Sequence, residues 1–173
     1  AGPVSAAVFP RLTSLVASGD HEALKRLYHQ ACQLVAVATV PASITLAFFA
    51  REVIFAWTGS PAAAEQGGVV AALLLAGQIM QGVSIIPYNL ALAHGHTRSV
   101  VSVGVFSVGL LLPLLIVLVP ARCVVGAGAS WLAMNVCVLP VFIHLVHRRF
   151  LRGEERRWWA GDLARPLLAA LPL

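Results

Sequence analysis

The side chains able to carry chemistry are few in this chain, and they are scattered. Cys32, Cys123 and Cys137 lie in or beside apolar runs, at spacings that suit neither a metal site nor a disulfide framework. They read as small buried hydrophobes. His94 and His96 form a His-x-His pair in the segment AHGHTR, with no carboxylate or cysteine near them in sequence, so no metal is expected there. His144 and His147 flank Arg148 and Arg149 and read as residues at headgroup level. Glu154, Glu155 and Asp162 are the acids closest to a reactive cluster, but they interleave with Arg156 and Arg157 in the manner of a solvated helix end. No Ser/His/Asp, HExxH, P-loop or GxGxxG arrangement occurs. The chain is not expected to be an enzyme, and no cofactor is implied.

What remains is polar but uncharged. Gln78, Gln81, Ser84, Tyr88 and Asn89 interrupt a long apolar stretch. At ~100° per residue they fall within an arc of roughly 140° on one helix face. Amides are costly against lipid, so the arc should face protein or a water-filled cavity. Two readings follow. The arc could make interhelical hydrogen bonds, each worth ~0.6 kcal/mol, or it could wall a cavity for a polyhydroxylated substrate. Further along, Trp131 and Asn135 lie four residues apart on one face, where the indole could pack or stack on a sugar ring. The candidate cavity residues are therefore Gln78, Gln81, Tyr88, Asn89, Trp131 and Asn135.

The elements that must position these groups follow from composition. Of 173 residues, 59% are hydrophobic and 11% charged, with a mean hydropathy of +0.85. A soluble domain carries ~25% charged residues, so the solvent for most of this chain is lipid. The net charge of +5 and pI near 9.9 do not indicate a nucleic-acid partner, because the cations sit beside apolar runs rather than in one exposed groove. Stretches at 34–58, 68–93, 99–121 and 123–147 are each long enough for a helix across a ~30 Å hydrocarbon core. Only a helix satisfies each N–H and C=O within an open segment in lipid. The expected fold is all-α: a polytopic membrane helix bundle of four complete spans, with a truncated helix at each end (1–9 and 166–173). The chain then reads as a piece of a larger membrane protein.

Charge sets the orientation. Segments 10–30, 94–98 and 144–166 hold Arg11, Lys25, Arg26, Arg98, Arg148, Arg149, Arg152, Arg156, Arg157 and Arg165; the opposite side holds Arg51 and Arg122. The positive-inside rule makes the first side cytoplasmic, with 148–165 a cytoplasmic linker. Residues 20–33 read as an amphipathic inner-interface helix with Asp20 as N-cap and a Glu22–Arg26 pair, continuing into the first span. Pro41, Pro87, Pro113 and Pro140 lie inside the four spans, where each removes one backbone donor and can kink its helix.

Several stretches resemble a known family. VFPRLTSLVASGDHEALKRLYHQACQL is similar to the link between helices eight and nine of polysaccharide flippases, within the multidrug/oligosaccharidyl-lipid/polysaccharide exporter superfamily. FFAREVIFAWTG, IIPYNLALAHGHTR and the tail LRGEERRWWAGDLARPLLAAL follow in the family's order and spacing. The tail looks like the corresponding linker of O-antigen-flippase-like proteins. The resemblance implies two pseudo-symmetric six-helix lobes around a central cavity, this chain forming most of the second, with the N-terminal lobe of the same polypeptide as its partner. It implies transport of a lipid-linked polysaccharide or oligosaccharide precursor, such as one for lipopolysaccharide, across the bacterial inner membrane by alternating access. Arg11, in the Phe-Pro-Arg-Leu stretch, matches the family pattern and either contacts a diphosphate or snorkels to headgroups. The competing expectations are an ion-coupled small-molecule exporter, for which these spans supply no carboxylate, and a multispan membrane enzyme.

Overall fold

The computed structural model describes residues 2–170. Ala1 and residues 171–173, the outermost parts of the two expected truncated helices, lie outside the described residues. Among the described residues the chain is helical throughout, without strands. In order it forms α1 (Gly2–Ser18), α2 (His21–Phe48), α3 (Ala50–Thr58), α4 (Pro61–Val83), α5 (Ile85–Ala93), α6 (Thr97–Phe150), α7 (Glu155–Arg157), a π-helix (Trp158–Ala164) and α8 (Arg165–Ala170).

Local chemistry explains the boundaries. Gly19 takes a φ of 73° between α1 and α2, and Asp20 caps α2 by accepting from the Ala23 N–H at 3.0 Å. α2 runs without a break from the amphipathic 20–33 segment into the apolar one, through Pro41. Gly59, Ser60 and Pro61 punctuate the α3–α4 junction in three consecutive residues. Gly59 closes α3 in the left-handed region, Ser60 caps α4, and Pro61 opens it where no N–H is needed. α4 and α5 are one span bent at Ser84. Pro87 has no N–H for the Val83 carbonyl and its ring crowds that group, so the helix yields just upstream.

Three helices are long and apolar enough to cross a membrane: His21–Phe48, Pro61–Ala93 and Val100–Phe150. The expected spans 99–121 and 123–147 fall in one helical run with no loop between them, so the structure by itself gives three helices of spanning length rather than four. That run is interrupted at a single residue, Cys123, with φ 51° and ψ −133°. The positive φ is a strained position for a side chain with a Cβ. It folds the run back on itself. A Cβ added at Gly126 would collide with the Leu118 carbonyl oxygen, whereas residues eight apart in a straight helix are separated by ~12 Å.

The best-packed part of the molecule lies where α1, α2, α5, the end of α6 and the C-terminal tail meet. Leu12, Tyr28, Val35, Val40, Ile86, Leu90, Ile143 and Trp158 are all buried there. The 97–122 arm of α6 is the opposite case. Val101, Val105, Ile116 and Val117 are each more than 60% exposed, an apolar surface that only lipid or further protein would cover.

Candidate functional site

Between α4–α5 and the two arms of α6 lies a cavity of about 630 Å³. Its walls are mostly aliphatic, with Val100, Val103, Leu111, Met134, Leu139 and Phe142 among them, and its polar groups come from Gln81, Ser84, Tyr88, Ser107, Trp131 and Asn135. Three of these polar groups are held by their own helix. Ser84 Oγ donates to the Met80 carbonyl at 2.8 Å, at the bend. Ser107 Oγ donates to Val103 O at 2.7 Å, and Asn135 Nδ2 donates to Trp131 O at 2.9 Å. Asn135 therefore keeps its side-chain carbonyl free of that bond. Trp131 lies against Gly77, where an added Cβ would come within 2.5 Å of the indole Cδ1. The absence of a side chain at 77 is what admits the ring.

The structure divides the sequence candidates. Gln81, Tyr88, Trp131 and Asn135 line one cavity. Asn89 turns the other way: it is buried, and its Nδ2 donates to Ser5 Oγ at 2.7 Å, tying α5 to α1. Gln78 is exposed and is not part of the lining. Gln81 and Tyr88 line the cavity from either side of the bend at Ser84, so the split falls at one edge of the arc: at ~100° per residue Gln78 lies roughly 60° from Gln81 and Asn89 roughly 100° from Tyr88. Arg11 is exposed in the middle of α1 and faces a separate groove. His94 Nδ1 donates to Leu90 O at 2.9 Å, and both loop histidines pack on Phe150.

A second polar centre was not legible in the sequence. Asp162, read there as solvated, is 2% exposed. It accepts from His29 Nδ1 at 2.5 Å and from Gln33 Nε2 at 2.8 Å, joining the π-helix to α2. Because a carboxylate only accepts, Nδ1 carries the proton. His29 Nε2 lies 3.4 Å from Glu154 Oε2, and Glu154 also faces Lys25 at 3.9 Å and Arg157 at 3.8 Å. His147 is likewise buried. Its Nδ1 donates to Ile143 O at 2.9 Å, which leaves Nε2 to accept from the Tyr28 hydroxyl at 3.3 Å. His144 is exposed and sits 3.2 Å from Glu155. The expected Glu22–Arg26 pair is replaced by Glu22–Lys25 at 3.4 Å.

Among the described residues, long apolar helices enclose a cavity with uncharged polar groups in its wall, which is the build of a polytopic membrane protein. Its family is shown directly: the chain belongs to the Lipid II flippase MurJ family, whose sequence profile matches residues 3–173. This narrows the resemblance to polysaccharide flippases to a different branch of the exporter superfamily, and nothing in the match points to an O-antigen substrate. No curated protein and no solved structure matches the chain.

Proposed function

We propose that this chain is part of a flippase that carries a lipid-linked glycan precursor of the cell envelope across the bacterial inner membrane. The family's own description names lipid II, and that precursor is the cargo we favour over an O-antigen or other polysaccharide unit. In this reading the hairpin at Cys123 makes two crossings, so the chain supplies four spans. The sides bearing 10–30, 94–98 and 144–166 face the cytoplasm. The cavity bounded by α4, α5 and α6 supplies part of the transport path. Gln81, Tyr88, Trp131 and Asn135 offer donors, an acceptor and a stacking face for sugar hydroxyls, while the surrounding aliphatic wall suits the lipid portion.

The observation that carries the reading is this convergence of four uncharged polar side chains on one cavity in a chain of this family. A carboxylate or cation there would bind its own counter-ion. Amides and an indole bind a neutral, hydroxyl-rich group and release it. The test replaces Gln81 with leucine and Trp131 with alanine in the full-length protein, in a strain depleted of its own flippase. The expected result is a several-fold drop in precursor reaching the outer leaflet at unchanged protein level. Transport at the wild-type rate in both variants would overturn the cavity assignment.

A further inference from the structure

α1 and α2 diverge from the Gly19–Asp20 turn, and a groove of about 410 Å³ opens between their facing sides. Arg11 and Ser14 reach it from α1, and Arg26 and Gln30 from α2, one turn apart; no carboxylate lines it. Among the described residues, neither guanidinium has an ion-pair partner. Glu22, placed to pair with Arg26, pairs with Lys25 instead at 3.4 Å. The Asp20 carboxylate is engaged by the Ala23 N–H. Two permanently charged groups sharing a groove repel one another, and an anion between them reverses the sign of that interaction. Guanidinium forks fit phosphate oxygens two at a time, and a hydroxyl and an amide complete the donor set. Leu15 and Leu27 line the same groove. An apolar chain attached to the phosphate therefore has a surface to follow.

We propose that this groove binds the phosphate group of an inner-leaflet amphiphile, with Arg11 and Arg26 as the clamp and Ser14 and Gln30 as supporting donors. The site is separate from the cavity above, and it stands whether or not that cavity binds glycan. Two sources carry the same chemistry: an anionic phospholipid, and the diphosphate of a polyprenyl-linked cargo on its way in.

The experiment uses the full-length protein in phosphatidylcholine nanodiscs, with lipid retention read by native mass spectrometry after adding phosphatidylglycerol or a polyprenyl diphosphate. The R11Q/R26Q double variant should retain at least tenfold less of the phosphate lipid than wild type, and R11K/R26K should retain more than the glutamine pair. R148Q/R149Q, an exposed cation pair on the same face, is the control and should change little. Both positions 11 and 26 are exposed, so the substitutions spare the core. Retention of phosphatidylglycerol and polyprenyl diphosphate alike marks a headgroup site. Preference for the polyprenyl diphosphate marks a cargo-entry site, and either supports the proposal. Equal retention by wild type and R11Q/R26Q, or an equal loss in R148Q/R149Q, overturns it.

Discussion

Replacing Asp162 with alanine should free the C-terminal linker from α2. The carboxylate is 2% exposed and accepts two N–H bonds, from His29 and Gln33. Bonds to a charged acceptor contribute about 1.5–3 kcal/mol each, and breaking a buried pair costs about 3–5 kcal/mol because the surviving polar group is stranded. Taking ~3 kcal/mol for the linker's local opening, at ~1.4 kcal/mol per tenfold change, the open population rises about 100-fold. Hydrogen–deuterium exchange on the full-length protein reads this directly, since amides in 158–164 exchange through local opening. Asp162→Asn keeps one acceptor oxygen and should accelerate exchange less, by about tenfold. His29→Leu combined with Asp162→Leu removes both members of the buried pair, leaves only the exposed Gln33 amide to find water, and should recover much of the protection. Exchange in Asp162→Ala within a factor of about three of wild type would refute the tie.

Three further outcomes are expected. Gly77→Ala should force the Trp131 ring out of place, costing about 1–3 kcal/mol as overpacking and reducing transport with Gln81 intact; unchanged thermal stability and transport would count against the tight contact. Asn89→Ala should lower thermal stability by roughly 0.6–2 kcal/mol through loss of the Ser5 bond while leaving transport far less affected than Gln81→Leu, as measured side by side. Cys123, exposed at the fold of α6, should react with a polar, membrane-impermeant maleimide added from the outer side, while buried Cys32 should not; labelling of Cys123 only after lysis would contradict the proposed orientation.

The parts of this fold visible in the sequence are those governed by neighbours along the chain. The Asp20 cap, the Gly59–Ser60–Pro61 junction and the apolar runs all depend on spacings of a few residues. The polar arc shows the limit of that reasoning. It grouped five residues over roughly 140°, but one cavity takes only the part of the arc that holds Gln81, Ser84 and Tyr88, while Asn89 at the edge meets α1 and Gln78 is exposed. A helical wheel gives angles about one axis and carries no information on which neighbouring helix each angle meets. The break at Cys123 falls where the sequence placed the boundary between 99–121 and 123–147, but its form was not legible. The reversal takes a single residue, and the signal lies in Gly126, whose missing side chain admits the returning backbone.

The sequence by itself determined that lipid is the solvent, that helices are the only open-chain answer to it, and which side chains are polar enough to need partners. Those follow from composition and from hydrogen bonds that close within about four residues. Only the tertiary structure decided who the partners are. His29 meets Asp162 across 133 positions, Tyr28 meets His147 across 119, and Asn89 meets Ser5 across 84. No periodicity reaches that far. Such pairs are chosen by how helices cross and which faces they bury. That is why an acid that looked solvated became an anchor in the core, and why Asn89 and Gln81 part company while the chain stays helical throughout.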